Sequence, residues 1–503
     1  MLRTFVALII ASLLSLTAWY WLGRPVPISE PAVDGRLSCL SYTPYRNAES
    51  PFDSDETKLD PAHIDEDLQL LSSHTSCIRL YASSGMEQIP AIAQKYGMKV
   101  LMGAWVSQDK VATRQEIEDV VKLANTYPGT IRGVLVGNEA LLRQEIDPDS
   151  LAALIREVKQ RVPQPVSYAD VWEFQLHNPQ VAEASDFVTI HILPYWEDQP
   201  VAIDDAINHV RNIRQQVVDR FPGKPVLIGE SGWPSAGRMR EGALPSLVNE
   251  ARFIRGFVAA AHAEGWDYNL IEAFDQPWKR RLEGAVGGYW GIFDTARHDK
   301  HVLAGDVSNH PHWKVLALLS VSLGTLIILL WRLPIILSPL VAGVAIGWTL
   351  QLEQLWMIAR NGLEGGAALL LLIILFASSA AALARLAGRP FAPRREARLV
   401  LLLGSVAVIL SLWLVFDPRY RDFLYAGFLP PALLMFLLTR SNSPVVRRGD
   451  EEIAIGVLLS LSAVAIVVDE TLLNYQALAW SLAALLLGSA LIWRSLRAKT
   501  RRG

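Results

Sequence analysis

Eight short apolar stretches at near-regular intervals constrain this chain more than anything else in it. They begin near Leu37 (LSCLSYT), Cys77 (CIRLYAS), Met98 (MKVLMGAW), Ile131, Pro165 (PVSYAD), Asp186 (DFVTIHI), Pro225 and Asn269 (NLIEAF), at a mean spacing of about 33 residues. Amphipathic helical patterns lie between them, as over 114–125, 150–161 and 247–264. A strand–helix unit repeated eight times predicts a (β/α)8 barrel of the TIM type. A doubly wound open sheet is the alternative, but no glycine-rich phosphate loop follows the first strand.

One barrel does not account for 503 residues of which 51% are hydrophobic. From Val315 onward the pattern changes to long apolar runs, at about 315–331, 334–352, 366–387, 399–416, 423–438, 453–468 and 474–493. Most are long enough to cross a bilayer, with 423–438 and 453–468 near the short limit. An eighth run, 5–22, follows Arg3 and ends in Trp19, Tyr20 and Trp21. A cleaved signal would carry small residues there, so an uncleaved anchor with an interfacial aromatic belt is expected.

Charge divides the chain in the same way. Residues 23–313 hold 40 Asp/Glu against 28 Lys/Arg, and the remainder holds 10 against 19. The acidic balance of the first block argues against nucleic acid as a partner. With the N-terminus placed in the cytoplasm, fifteen basic residues fall on the cytoplasmic side: Arg3, Arg332 and those within 385–398, 440–448 and 494–502. The opposite C-terminal loops carry Arg360, Arg419 and Arg421. By the positive-inside rule both termini are cytoplasmic and the acidic block lies outside, with the lipid bilayer as a partner. The expected domains are an anchor over 1–23, a barrel over 24–313, and seven transmembrane helices with a cytoplasmic tail over 314–503.

Cys39 and Cys77 both fall in expected buried strands. Adjacent parallel strands seldom offer disulfide geometry, so buried free thiols are expected. No spacing of ligating residues suggests a metal site, and nothing implies a cofactor.

Two of the strands end on an acid. Pro225-Val226-Leu227-Ile228-Gly229 runs into Glu230 and the turn Ser231-Gly232-Trp233-Pro234-Ser235; Ile131 to Gly137 runs into Asn138 and Glu139. Catalytic groups of a barrel enzyme sit at the carboxyl ends of its strands. Strands four and seven face each other across the mouth, so the two acids form the pair that glycosidic bond cleavage with retention needs, about 5–5.5 Å apart. Glu139 is the expected acid/base, with Asn138 beside it to bond a sugar hydroxyl, and Glu230 the nucleophile. Aromatic rings at strand ends are candidate sugar platforms: Tyr42, Tyr81, Trp105, Tyr195, Trp233, Phe274 and Trp278. Arg79 and Lys279 are candidate contacts to substrate hydroxyls or to Glu230. His191 reads equally as a core histidine or a substrate contact.

Gly137-Asn138-Glu139 and Gly229-Glu230-Ser231-Gly232-Trp233-Pro234-Ser235 resemble the motifs of glycoside hydrolase family 17, the β-1,3-glucanases and glucanosyltransferases. The likeness continues through Ile78-Arg79-Leu80-Tyr81, Glu272-Ala273-Phe274-Asp275-Gln276-Pro277-Trp278-Lys279 and Tyr289-Trp290-Gly291-Ile292-Phe293, and covers roughly residues 35–295. The resemblance implies Glu139 as proton donor, Glu230 as nucleophile, net retention and a β-glucan substrate. Gln276 and Gly287 stand where the family carries acids, which bears on the charge around Lys279.

Hydrolysis and transfer share one covalent intermediate and differ in whether water or a sugar hydroxyl attacks it. An enzyme outside the cytoplasm has no nucleotide sugar, so transfer of glucan onto glucan is the favoured expectation. Bacterial membrane-bound relatives described as β-1,6-glucan synthases are similar in arrangement, which implies an inner-membrane location with a periplasmic barrel, and a glucan polymerase or export system as a further partner. Simple β-1,3-glucanase activity and a non-catalytic glucan receptor are the alternatives.

Overall fold

The computed structural model describes residues 2–46, 49–52, 59–389, 392–439 and 450–500. Arg440, Arg447, Arg448, Arg501 and Arg502, five of the basic residues counted above, lie outside them.

All eight expected strands form, and they close into one parallel barrel in sequence order. They are β1 (Leu40–Ser41), β2 (Cys77–Arg79), β3 (Lys99–Ala104), β4 (Ile131–Asn138), β5 (Val166–Val171), β6 (Val188–His191), β7 (Val226–Ser231) and β8 (Asp267–Leu270). The ring is sealed by Leu40 of β1, which pairs with both Ile78 of β2 and Leu270 of β8. The strands read as nearly continuous apolar runs because both faces are buried. Ile78, Val100, Val134, Val188 and Ile228 pack outward against the helices in the main core. Cys39, Cys77, Leu101, Leu135, Ala169 and Leu227 form a separate cluster, the apolar floor of the barrel interior.

Local chemistry sets the helices between the strands. Asp109 caps Lys110–Thr126 by accepting from the backbone N–H of Val111 and Ala112, and Asp147 caps Pro148–Lys159 through Ser150. Ser246 caps Leu247–Glu264, which ends on Gly265 in the left-handed region at φ +65°.

The two cysteines correct the sequence reading. Cys39 and Cys77 are bonded as a disulfide, with Cα atoms 4.4 Å apart. The bond links the start of β1 to β2 within the barrel floor, where both side chains point inward from adjacent strands and meet.

Outside the barrel domain the described residues are mainly helical. Among the described residues, seven helices are long and apolar enough to cross a membrane: Leu2–Gly23, Trp313–Trp331, Ile335–Ile358, Gly362–Leu386, Arg394–Phe416, Glu451–Glu470 and Tyr475–Arg497. The run near 423–438 gives a shorter apolar helix, Tyr425–Thr439, with Pro430 and Pro431 inside it. Along Leu2–Gly23 the buried positions are Ala7, Ala11, Ser15, Trp19 and Gly23, one per turn. That stripe packs on Trp313–Trp331, where Trp19 Nε1 donates to Ser320 Oγ at 2.7 Å. Leu2, Phe5, Leu13 and Leu16 on the remaining surface are exposed, as a lipid-facing side would be.

Candidate active site

The apolar floor of the barrel gives way to polar residues toward the carboxyl ends of the strands. Asn269 of β8 donates to Ser41 Oγ (2.8 Å) and to the Gly229 carbonyl (2.9 Å), and Ser41 Oγ is 2.8 Å from Tyr81 Oη. Arg79, at the end of β2, is 1% exposed and spans the interior. Its guanidinium donates to the Gly229 carbonyl (2.6 Å), to Glu230 Oε1 (3.2 Å) and to Asn138 Oδ1 (2.5 Å). One cation thus fixes the ends of both acid-bearing strands. A buried guanidinium is tolerable only when its charge is paired in this way.

Glu139 and Glu230 come together across this cation. His191, last residue of β6, lies between them, with Nδ1 2.8 Å from Glu139 Oε1 and Nε2 3.6 Å from Glu230 Oε1. A carboxylate oxygen of each acid and a ring nitrogen of His191 all lie within 4.8 Å of one another. That separation matches a retaining pair, about 5–5.5 Å, rather than the wider inverting geometry. The Arg79 N–H groups, 3.4 Å from Nε2, leave that nitrogen as the acceptor, so Nδ1 carries the proton and donates it to Glu139. The same three groups could ligate a divalent ion, but the guanidinium of Arg79 in their midst opposes a second cation there.

The backbone at Glu139 is unusual. It has φ +52°, and Gly137 two residues before it φ +93°; a left-handed non-glycine residue costs on the order of 1 kcal/mol. The turn is braced by Glu139 N donating to the Ala169 carbonyl (2.8 Å) and Leu141 N donating to Tyr168 Oη (2.8 Å). The Tyr168 hydroxyl in turn bonds Asp170, whose carboxyl burial raises to about 6.

Burial also pushes the Glu139 carboxyl up, but the His191 hydrogen bond and the positive charges of Arg143 and Arg79 outweigh it and hold it below its usual value. On the β8 side the balance runs the other way. Burial raises Glu272 to about 7 although Lys279 Nζ donates to it at 2.8 Å. Glu283 is likewise raised by burial to about 7; Lys279 opposes the shift, and Glu272, Glu139 and Glu230 add to it. A Cβ on Gly287 would meet Glu283 Oε2 at 2.7 Å. The carboxyl of Glu283 therefore fills the space beside Gly287, and Lys279 keeps two acidic neighbours despite Gln276 and Gly287.

The ten expected substrate contacts divide into two groups. Arg79 and Asn138 line the acid pair; Lys279 stands beside them through Glu272. Tyr81 is half-buried with its ring 4.6 Å from the Arg79 guanidinium, and Trp105 is 37% exposed with Arg143 4.3 Å above it. Trp278 is half-buried, edge-on to Tyr45 and Phe52. Tyr42, Tyr195, Trp233 and Phe274 are corrected: each is at most 1% exposed. Their polar atoms are spent internally, Tyr42 on Asp67, Tyr195 on the Arg238 carbonyl and Trp233 on the Leu244 carbonyl. Rings with no free face are packing, not sugar platforms. The sequence reading missed the bridging place of His191 and the roles of Glu272 and Glu283. Of these, Glu272 had a signal as the first residue of the Glu272–Lys279 motif and His191 as a candidate substrate contact, while Glu283 had none.

A closed parallel eight-stranded barrel with two adjacent carboxylates at the ends of β4 and β7 defines a glycoside hydrolase. A family model described as the BtgE/BtgC glycoside hydrolase domain matches residues 39–291, and the chain belongs to that family. The β-1,3-glucanase resemblance carried by the two motifs is thereby upheld. The chain is 28% identical over 279 residues to a glucan 1,3-beta-glucosidase of Saccharomyces cerevisiae, covering 51% of this chain and 89% of that one. It is 28% identical over 296 residues to a putative glucan endo-1,3-beta-glucosidase, btgC, of Aspergillus niger, covering 52% and 40%. Among solved structures, the glycoside hydrolase family 17 beta-1,3-glucanosyltransferase from Rhizomucor miehei is similar at 28% identity and a TM-score of 0.47, covering 54% of this chain and 97% of that one.

Proposed function

We propose that this chain is a membrane-bound retaining glycosidase acting on β-1,3-glucan, and that it passes the cleaved glucan to a second glucan chain. The observation that carries the reading is the Glu139–Glu230 pair, held within 4.8 Å and bridged by His191. Glu230 attacks the anomeric carbon from the face opposite the leaving oxygen, while Glu139 gives that oxygen a proton as the glycosidic bond breaks. Ionised Glu139 then takes a proton from the incoming hydroxyl, whose oxygen displaces Glu230 and restores the starting configuration. In the empty site Glu139 sits below its usual value. A sugar covering the mouth increases its burial, the largest influence on it, and moves it toward the protonated form the first step needs. Once Glu230 is esterified its negative charge is gone, which favours ionised Glu139 for the second step.

Transfer is supported by where the barrel would lie. The positive-inside asymmetry and the Cys39–Cys77 disulfide both favour a barrel outside the cytoplasm, in the periplasm of a bacterial cell, anchored by residues 1–23 and 314–503. No nucleotide sugar is available there, so elongation or branching must draw on the bond energy of an existing glucan. A polymerase or export system would supply that donor.

The test uses purified full-length protein with laminari-oligosaccharides, following product anomers by NMR and product length by chromatography. A retained anomer is expected, and Glu230→Gln and Glu139→Gln should each lower kcat by about 10³-fold. Inversion, or an active Glu230→Gln, overturns the mechanism. Products longer than the donor support transfer; exclusively shorter ones assign a hydrolase, and none at all a receptor.

A further inference from the structure

The loops that follow β6, β7 and β8 carry one rim of the barrel mouth, and they are not bare. Each meets a connection of the helical block. From the β8 loop, Arg280 donates to the Met357 carbonyl (2.7 Å) and Tyr289 Oη to the same carbonyl (3.0 Å). From the β7 loop, Arg238 pairs with Glu470 and donates to the carbonyls of Pro418 and Arg421. Beside it, Met239 N donates to Gln476 Oε1 and Asn474 Nδ2 to the Met239 carbonyl, both at 2.9 Å. From the β6 loop, Trp196 meets Tyr420 edge to face at 6.1 Å, with the Arg419 guanidinium 5.7 Å from the Trp196 ring.

The segment joining the helices Pro393–Phe416 and Tyr425–Thr439 meets all three of these loops. A Cβ on Gly284 would meet the Tyr420 carbonyl oxygen at 2.6 Å, so this backbone abuts the residue directly after Glu283, whose carboxyl interacts with Glu139 and Glu230. Trp196 is five positions beyond His191, which touches both acids. Arg419 and Tyr420 are both exposed, and Trp196 is half-buried. An aromatic corner with an exposed guanidinium beside it suits a pyranose: ring faces take the apolar C–H surface and the N–H groups take hydroxyls.

We infer that the connection 417–424 of the helical block is part of the substrate site, and that Tyr420 and Arg419, with Trp196, hold a glucose unit of the β-glucan away from the bond being cleaved. The inference rests on the β-glucan reading above. The helical block then acts as a wall of the groove as well as an anchor, and it sets how long a glucan is preferred.

The test compares kcat/KM of the full-length protein for laminari-oligosaccharides of two to ten units. Tyr420→Ala should lower the ratio of the long-substrate to the short-substrate value by about tenfold, the loss of one stacking contact. Tyr420→Phe should keep that ratio, and Arg419→Ala, at an exposed position, should lower it by severalfold. A merely structural defect would lower both values together and leave the ratio where it was. A wild-type ratio in both Tyr420→Ala and Arg419→Ala overturns the inference, and if Tyr420→Ala does not fold, Arg419→Ala decides alone. Inactivity of the wild type on every oligosaccharide removes the β-glucan-cleaving reading itself, and this inference with it.

Discussion

His191 shows how a single residue acquires a role that its neighbours in sequence do not announce. It follows an apolar strand like any core histidine, yet one ring nitrogen faces each acid. In the proposed mechanism it is a positioning residue, holding Glu139 ionised in the empty site and oriented toward Glu230. His191→Ala should lower kcat by about 10²-fold. It should also move the pH profile in a set direction. The His191 hydrogen bond holds Glu139 low against burial, so its loss lets burial raise the carboxyl, and the limb of kcat/KM governed by Glu139 shifts to higher pH. An unshifted limb would reduce His191 to packing. The aromatic residues teach the converse. Tyr195 and Trp233 sit next to proline turns at the rim and read as platforms, but their rings are spent inside the barrel.

The loop after β8 is the element where charge and stability meet. Lys300 Nζ is shared by Glu250 Oε1 and Asp275 Oδ1 (both 3.1 Å) and bonds Ser235 Oγ (2.8 Å). Burial lowers Lys300, but the two acids outweigh it and hold the ammonium charged. The acids nonetheless shift the other way, Glu250 to about 8 and Asp275 to about 6, both from burial. These directions agree once one ammonium is seen to serve two carboxyls: it can hold one ionised while the other keeps its proton. A carboxyl raised in the folded state binds a proton on folding. Its contribution is complete below its unfolded value and is lost as pH rises through the folded one. Glu250, Glu272 and Asp275 therefore make the barrel lose stability between about pH 4.5 and pH 8. Thermal unfolding of the solubilised protein should show a lower midpoint at pH 8 than at pH 5.5, and Glu250→Gln should reduce that difference. The helical elements are simpler to read. Every apolar run beyond Val315 became a helix; of the two runs near the length limit, 453–468 reached spanning length as Glu451–Glu470 and 423–438 falls short.

At the scale of the whole molecule, the contact between barrel and helical block runs through Arg238. That residue is 5% exposed, paired with Glu470, and stacked 4.9 Å from the ring of Phe423. Arg238→Ala leaves a buried carboxylate without its cation, a loss of about 3–5 kcal/mol where such pairs are broken. The expected outcome is a barrel that keeps its own fold while the contact loosens. Hydrogen exchange should rise in 417–424 and 470–476, with little change in β1 to β5. Exchange rising across all eight strands would show instead that the contact supports the barrel itself.

Periodicity and composition alone determined the eight strands, the apolar helices and the two acids, because each depends on residues adjacent or regularly spaced in the chain. A strand end positions its acid whatever lies elsewhere, so Glu139 and Glu230 could be read from five or six letters each. What joins residues distant in sequence was settled by the closed barrel. The disulfide between Cys39 and Cys77, the bridge from His191 to both acids, and the burial of Tyr42, Tyr195, Trp233 and Phe274 depend on which side chains point inward at the same height. The contact of 417–424 with the barrel mouth belongs to the same class. It spans some 180 residues between Arg238 and Pro418, and nothing in either segment alone specifies the other.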